Sequence, residues 1–354
     1  LQLDLRVEAK YRGRSLDGEI AWELRSRHGD IVGADVPAAG FAGASGDDRW
    51  LDLTMNLHDG ENDVVEQRLD RLWAGFEAGQ WRVSLGRQAL SLGNGLVFQP
   101  MDLFNPFSPT ETDTEFKQGE DMVVAQRPFD GGGQLMALAV ARRDAQGEPS
   151  AEASAFGVRY RTFAGAVSLE ALAAANANAP TFAVGASGPL GGAVWRADLL
   201  AARDGGAWRI SGVVNLDRST VLGSRNVYVF GELYRNGFGV DALPATPAAL
   251  PQPLVDRLRR GELFTLGELY TAFGGRIEWH PLWNQEVLLL TEYAEGSSLV
   301  QTSLTWEPGD DHLWRFSVTA PLGDAGEEFG GIPVGAGRTV GGGERVQVRY
   351  SYYF

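Results

Sequence analysis

Apolar and polar residues alternate along most of this chain, and the alternation is clearest at its two ends. In residues 1–12 the odd positions are apolar, whereas the even positions are charged or amidic. Residues 345–354 alternate in the same way, with aromatic residues toward the end. Successive side chains of a strand point to opposite faces, so a period of two indicates β-structure. Both ends are therefore predicted to be strands with one apolar and one polar face.

Similar segments recur between the two ends and predict about eighteen strands. The predicted strands are residues 1–12, 18–27, 49–58, 64–78, 81–91, 120–129, 133–143, 153–162, 164–174, 180–188, 193–203, 207–216, 224–236, 266–279, 284–295, 298–307, 312–322 and 344–354. Short turns and long loops are expected to alternate along such a chain. At residues 28–48 this alternation calls for a short turn, but the segment is long. Either it folds into the mouth of a pore, or the count falls to sixteen.

The length and chemistry of these segments favour a membrane-spanning sheet. Strands of about ten residues, apolar on one face and aromatic near their ends, are typical of transmembrane barrels. Lipid offers no partner to backbone polar groups, so such a sheet closes on itself. We predict an all-β fold, with residues 1–354 forming a single antiparallel transmembrane β-barrel with long extracellular loops. A large soluble β-sandwich or propeller is the alternative.

Composition narrows the possible functions. The chain has 354 residues, 44% of them hydrophobic, no cysteine and a net charge of −15. Thiolate metal sites and cysteine nucleophiles are excluded, and the acidic balance argues against nucleic acid as a partner. No basic start followed by an apolar block is present at Leu1. We therefore expect that an export signal has already been removed.

The last strand carries an aromatic signature in Tyr350, Tyr352 and Phe354. It resembles the final-strand signal of Gram-negative outer-membrane proteins. The resemblance implies recognition by the outer-membrane assembly machinery and a location in the outer membrane, in contact with the lipid bilayer and lipopolysaccharide. An ordinary aromatic edge strand is the alternative.

A second resemblance runs through residues 85–106. It consists of Leu85-Gly86-Arg87-Gln88, then Leu92-Gly93-Asn94-Gly95, then Pro100-Met101-Asp102-Leu103-Phe104-Asn105-Pro106. This stretch is similar to outer-membrane porins related to the alginate-export family, in which a strand ending in Gly-Arg-Gln leads into a loop with Asn-Pro and Asp motifs. Members of that family form eighteen-stranded barrels, which agrees with the strand count.

The connection 92–119 is predicted to fold into the barrel and narrow the pore. Loops longer than about 15 residues in a compact fold are usually functional or disordered. This one is rich in apolar residues, which favours packing over disorder. Asn94, Asp102 and Asn105 are the predicted constriction residues. A loop that lies over the extracellular rim is the alternative.

The polar face of the strands predicts a mixed, slightly basic lumen. Basic side chains around a pore favour anions. Cross-strand ion pairs that only solvate the inner wall are the alternative, and they account for more than half of these residues. The predicted pore-lining residues are Arg6, Lys10, Arg25, Arg82, Arg87, Gln88, Arg127, Arg159, Arg196, Glu232, Arg276, Glu278 and Arg349, with Arg87 and Arg127 as the strongest candidates.

Evidence for metals and cofactors is weak. Four acids near the loop could offer oxygen ligands to Ca²⁺, although no complete ligand loop is visible. These weak calcium candidates are Asp113, Glu115, Glu120 and Asp121. No other cofactor is expected.

The expected function is an outer-membrane, porin-like channel, without enzymatic activity. It would serve diffusion, export or uptake of small or oligomeric polar or anionic solutes through the charged lumen narrowed by loop 92–119. One alternative is a structural barrel that sheathes or anchors a partner protein, for example a periplasmic one. Another is a barrel hydrolase, for which His58-Asp59 is the only adjacent pair at a plausible outer loop.

Overall fold

A computed structural model describes residues 1–29, 48–60, 62–104, 106–111, 116–144, 146–244, 246–335, 338–340 and 342–354. Within these residues the fold is all-β: eighteen strands form one antiparallel sheet, and two short strands form a separate hairpin. No helix in the described part of the chain is both long enough and apolar enough to span a membrane.

The sheet contains every strand predicted from the sequence. Its strands are β1 (Gln2–Arg12), β2 (Leu16–His28), β3 (Thr54–Asp59), β4 (Asp63–Ala78), β5 (Trp81–Gln88), β6 (Glu120–Pro128), β7 (Gln134–Arg143), β8 (Pro149–Ala164), β9 (Val167–Asn176), β10 (Ala179–Leu190), β11 (Ala193–Asp204), β12 (Ala207–Leu222), β13 (Arg225–Arg235), β14 (Leu269–His280), β15 (Trp283–Glu292), β16 (Ser298–Gly309), β17 (His312–Leu322) and β20 (Arg345–Tyr352). The hairpin is β18 (Ile332–Gly335) with β19 (Arg338–Val340), and helix α1 is Gln252–Arg259. The count of eighteen is confirmed.

Strand β3 has an unusual place in the sheet. Strand β4 pairs with β2 along one edge. On its other edge, residues 64–68 pair with β3 and residues 72–78 pair with β5. The short β3 therefore lies in line with β5, along the same edge of β4. We call the other seventeen strands, from β1 to β20, the wall.

The connections divide between two ends of the wall. The turns 13–15 and 79–80 lie together, because Leu16 pairs with Phe76. We call this the short-turn end. The connections 29–53, 89–119, 236–268 and 323–344 leave from the opposite, long-loop end. Segment 28–48 leaves β2 at the long-loop end, because β1 runs from that end and β2 returns to it. A long connection there therefore does not lower the strand count to sixteen. Whether it folds into the mouth of the pore stays a prediction, since residues 30–47 lie outside the described residues.

The outer face of the wall is apolar. Leu3, Leu5 and Val7 of β1 are exposed, as are the outward residues of most other strands. Aromatic rings gather near the short-turn end of this face, where Trp283 and Trp306 stack with their centroids 5.3 Å apart. An apolar band with aromatic rings at its border suits a lipid bilayer and its interface.

The interior is partly filled by the chain's own loops. Loop 89–119 and segment 236–268, which contains α1, pack against inward apolar residues of β6 to β11. A second cluster stacks Phe98 of the loop on Tyr234 of β13, with ring centroids 4.6 Å apart. Because the loop touches strands from β1 to β16, the sheet must curve around it, as in a barrel.

Candidate functional site

A β-bulge in β4 directs two consecutive charged side chains into the lumen. Ala21 pairs with Arg71 whereas the next residue, Trp22, pairs with Leu69, so Asp70 is the extra residue. Asp70 and Arg71 are both buried on the inner side. A bulge shifts the strand's alternation by one position. This shift brings an acid and a base together at the same height of the wall.

Gly86 of β5 has a backbone conformation that other residues rarely adopt. Its φ is +115°, and a Cβ at this position would lie 2.2 Å from the carbonyl oxygen of Leu72. Only glycine fits this combination of backbone angle and close approach. The glycine of the Leu85-Gly86-Arg87-Gln88 stretch is thus required by the packing of β4 on β5.

Arg87, directly after this glycine, is locked into the wall. Its Nε and Nη2 atoms donate to the two carboxylate oxygens of Asp121, each at 2.9 Å. Its other donors reach the carbonyl oxygens of Leu51 at 2.5 Å and Leu69 at 3.2 Å. The residue is 1% exposed. Arg87 was one of the two strongest pore candidates, but its burial and full pairing leave it no surface to offer a solute.

Loop 89–119 is held in the lumen by acids on three strands. Asn94 donates its backbone N–H to Asp198 of β11 at 2.6 Å. Its side-chain amide donates to Asp198 at 2.7 Å and to Glu170 of β9 at 3.1 Å. Asn94, predicted as a constriction residue, is therefore a fixed point of the loop.

Glu232 of β13 holds the next turn of the loop. Its Oε1 accepts the backbone N–H groups of Val97 at 3.0 Å and Phe98 at 2.7 Å. Its Oε2 accepts the N–H of Leu96 at 2.7 Å and the amide of Asn215 at 3.0 Å. Four donors thus converge on one buried carboxylate. This geometry assigns Glu232 to holding the loop, a role that its sequence position did not suggest.

A buried ion pair ties the two ends of the loop together. Nζ of Lys117 lies 2.5 Å from Asp102 and donates to the carbonyl oxygen of Leu90 at 2.6 Å. Burial raises the pKa of Asp102 to about 6, although the nearby ammonium of Lys117 acts in the opposite direction. Burial likewise lowers the pKa of Lys117. Asp102, another predicted constriction residue, therefore stabilises the loop from within.

Between the loop and the wall formed by β1, β2, β4 and β5 lies a polar cavity of about 390 Å³. We call it the wall cavity. Its lining residues are Arg6, Glu8, Lys10, Glu19, Arg71, Trp73, Gln88, Ala89, Phe116 and Lys117. The guanidinium of Arg6 stacks 4.3 Å above the Phe116 ring, which joins the wall to the loop at this point.

The surface of the wall cavity is more cationic than its surroundings. Four cations and two carboxylates line it. Two of these cations, Arg6 and Lys117, pair with acids that do not line the cavity, Asp70 and Asp102. The side chains of these acids are only 2% and 0% exposed. The cations of these buried ion pairs therefore face the cavity, while the total charge of the cluster is near balance.

Several predicted pore residues are engaged in cross-strand ion pairs. Such pairing matches the alternative interpretation, in which charges mainly solvate the inner wall. The cross-strand contacts are those of Arg25 with Asp4 and Glu66, Arg82 with Asp17, Arg159 with Glu170, and Arg196 with Asp217. Arg25 also contacts Glu23 on its own strand.

The remaining predicted residues differ in their surroundings. Arg127 donates to Gln80 at 2.6 Å, and Glu278 accepts from the side-chain amide of Asn226 at the start of β13. Arg276 is exposed on the inner face of β14. Arg349 is half-buried and stands opposite Arg315 in the register of β17 and β20. Of the thirteen predicted side chains, the wall cavity brings together only Arg6, Lys10 and Gln88.

The calcium candidates that can be placed are bound to arginines. Glu120 contacts Arg142 at 3.3 Å, and Asp121 forms the bidentate pair with Arg87. Asn105, Asp113 and Glu115 lie outside the described residues. Within the described residues, no group of three or more His, Asp or Glu side chains is arranged to hold a metal ion.

Two further predicted features lie away from the lumen. His58 contacts Asp63 at 2.6 Å, rather than the adjacent Asp59. Tyr350 and Tyr352 face outward, and the Tyr350 ring packs on Trp314 at 4.7 Å between centroids. Phe354 is 88% exposed. The aromatic signature is therefore accessible from outside the barrel.

Solved structures with the same fold are outer-membrane barrels and porins. Wzi of Escherichia coli, an outer-membrane protein involved in group 1 capsule assembly and a carbohydrate-binding β-barrel, matches at a TM-score of 0.55 and 8% identity over 90% of this chain and 74% of Wzi. OccAB3 of Acinetobacter baumannii matches at 0.51 and 9% identity over 90% and 86% of the two chains. A BenF-like porin of Pseudomonas fluorescens Pf-5 matches at 0.50 and 12% identity over 91% and 87%.

These similarities establish the fold of the chain as that of outer-membrane β-barrels. No family model matches the sequence, and no curated protein matches it either. The structural matches agree with the porin part of the resemblance seen in the sequence, but they do not single out the alginate-export family.

Proposed function

We propose that this protein is a channel in the outer membrane of a Gram-negative bacterium and passes small polar solutes, with a modest preference for anions. The proposed path runs through the wall cavity, between the inward residues of β1 to β5 and the loop 89–119. The solute is attracted by the charges on its way, and no covalent step is involved. The apolar outer face and the barrel fold support the membrane location.

The observation that carries this proposal is the fixed position of the loop. Asp198 of β11 and Glu232 of β13 hold its backbone across the lumen, and Glu170 of β9 holds the side chain of Asn94. The polar space that remains lies on the other side, next to β1. Selective pores combine a narrow passage with charged or polar groups along it. The fixed loop and the charged lining of the wall cavity together have these two features.

The same observation favours a channel over a sheath for a partner protein. The apolar interior of β6 to β11 is covered by loop 89–119 and α1. A partner inside the lumen would need this space. A role as an export route for long polymers also fits poorly, because the wall cavity holds only about 390 Å³.

Ion selectivity tests the proposal. The purified, folded protein is inserted in a planar bilayer with a KCl gradient, and the reversal potential is measured. We expect small, stable conductance steps with a reversal potential on the anion-selective side. The half-exposed Lys10 lines the cavity, and Lys10→Glu should move the reversal potential toward cation selectivity.

Arg218→Glu is the matched control. Arg218 shares the outward face of β12 with Val214 and Leu216, both exposed, so the same change of charge occurs outside the lumen. Its reversal potential should equal that of the wild type. Folded protein without conductance, or equal shifts from both variants, would refute the proposed path.

A further inference from the structure

A short segment after β17 packs onto both inward segments of the chain at the long-loop end. We call residues 323–331 the strap. Its Phe329 is buried in the same cluster as Phe98 of loop 89–119 and Tyr270 of β14. The N–H of Phe329 donates to Oγ of Ser297 at 3.2 Å, and the following Ile332 packs against the cluster that contains α1. The strap thus packs together with the loop that narrows the lumen.

One carboxyl group fastens the strap to segment 236–268. Oε1 of Glu328 accepts the backbone N–H of Leu266 at 3.1 Å, and its Oε2 accepts the N–H of Gly267 at 3.1 Å. Oε2 also accepts the hydroxyl proton of Tyr270. Three donors from segment 236–268 and β14 therefore converge on a single side chain of the strap.

The titratable groups that face Glu328 are acids and tyrosines. Glu292 of β15 lies closest to the fastening point, because a Cβ on Gly267 would meet both its Oε1 and the hydroxyl of Tyr270. The others are Tyr270 of β14, Tyr234 of β13, and Asp324 and Glu327 of the strap itself. A negative charge on Glu328 would thus face a second carboxyl group.

Cations do not compensate this charge. Within the part of the chain that the structure describes, no Lys, Arg or His forms an ion pair with Glu328, and Arg257 of α1 is bound to Glu262 at 2.7 Å. Burial raises the pKa of Glu328 to about 7, and Glu292 acts in the same direction, whereas the three donors act in the opposite direction. Ionisation is therefore unfavourable while the strap stays fastened.

We propose that the strap is a proton-operated latch, which stays fastened beside loop 89–119 while Glu328 is protonated and lifts when Glu328 gives up its proton to water. In the lifted strap the carboxyl group is solvated and has its ordinary pKa of about 4.5. The fastened strap thus keeps a proton that the lifted strap releases. Its stability is complete below about pH 4.5 and falls until about pH 7. Over this range the ratio of fastened to lifted strap should fall about 10² to 10³-fold.

The consequence for transport rests on the proposed function. The strap shares its apolar cluster with Phe98 of loop 89–119. Lifting it removes one support of the loop, so the opening should widen and the single-channel current should be larger above about pH 7 than below about pH 4.5.

The distance between two spin labels tests the latch without relying on conductance. The chain has no cysteine of its own. Ala325→Cys on the strap and Arg203→Cys at the end of β11 are both exposed and provide the two label sites. The labelled protein is folded into lipid vesicles, and the distance is measured by pulsed electron paramagnetic resonance at pH 4.5 and pH 8. We expect a narrow distribution at pH 4.5 and a longer or broader one at pH 8.

Two variants separate the Glu328 proton from general effects of pH. Glu328→Gln keeps the size of the side chain but cannot ionise, so its distribution should be narrow at both pH values. Glu327→Gln is the matched control, since Glu327 accepts the N–H of Asp324 within the strap; it should respond as the wild type does. An unchanged wild-type distance across this range, or an equal response in Glu328→Gln, would overturn the proposal.

Single-channel current at the same two pH values distinguishes the latch from the proposed channel. A current that rises with pH in the wild type and in Glu327→Gln, but not in Glu328→Gln, supports both. A distance change in folded protein that carries no current would support the latch and refute the channel. A stable current with an unmoved strap at both pH values would refute the latch alone.

Discussion

The hold of Glu232 on the constriction loop can be tested by a nearly isosteric change. In Glu232→Gln one carboxylate oxygen becomes an amide nitrogen, which cannot accept a hydrogen bond. Oε1 serves Val97 and Phe98, while Oε2 serves Leu96 and Asn215. Whichever way the amide is turned, two donors lose their acceptor.

The magnitude follows from these two losses. A hydrogen bond to a charged group contributes about 1.5–3 kcal/mol, so the loop's attachment should weaken by about 3–6 kcal/mol. At about 1.4 kcal/mol per factor of ten, the displaced loop becomes roughly 10² to 10⁴ times more populated. The contacts of Asn94 with Asp198 remain, so the displacement should be transient and not a complete unfolding.

Single-channel recording at constant voltage measures the displacement. Glu232→Gln should show brief openings to a higher conductance than the wild type. Glu278→Gln is the matched control, because Glu278 also faces the lumen but, among the described residues, accepts from Asn226, which lies outside the loop. If Glu232→Gln gives the same current trace as Glu278→Gln, the loop is not held by this carboxylate and the reasoning fails.

Three other predictions concern stability and assembly. Arg87→Met removes the ion-pair partner of the buried Asp121, which keeps the backbone N–H of Leu51 as a donor. Urea unfolding followed by gel mobility should show a loss of about 3–5 kcal/mol, partly restored by adding Asp121→Leu; an unchanged midpoint would contradict the assigned pairing. Burial raises the pKa of Glu328, which accepts from Tyr270 and two backbone amides, to about 7. The folded state therefore keeps a proton that the unfolded chain releases above its ordinary pKa, and stability should fall as pH rises from about 4.5 to about 7; an equally steep fall in Glu328→Gln would refute this. Phe354→Ser should lower the amount of folded protein in the outer membrane without changing refolding in detergent, and equal amounts would argue against a role in assembly.

The strands were predictable from the sequence because the membrane enforces a simple rule. One face of each strand meets lipid and the other the lumen, so apolar and polar residues alternate even in a short segment such as residues 1–12. A departure from this rule, the bulge at Asp70, was missed. It shifts the alternation of β4 by one residue and does not change the composition of the strand.

The candidate site was predictable only in part, because it depends on contacts between distant segments. Asn94 and Glu232 were both selected from the sequence, but not their partners. Glu232 accepts from the backbone of Leu96, 136 positions away, and this contact depends on the curvature of the sheet. Lys117, Phe116 and Trp73 line the wall cavity and were not selected at all. A side chain's direction can be read from the period of two, whereas its partners across the barrel cannot.

The central claim, that solutes pass through the wall cavity, is tested most directly by blocking that cavity. Ala89 lines it and is exposed, so Ala89→Cys adds one reactive thiol with little change in volume. Leu85→Cys, on the lipid face of the preceding strand β5, is the control. We predict that a negatively charged methanethiosulfonate reagent lowers the single-channel current of Ala89→Cys in one irreversible step and leaves Leu85→Cys unchanged. Complete labelling of Ala89→Cys, verified by mass, with no change in current would place the path elsewhere and contradict the account.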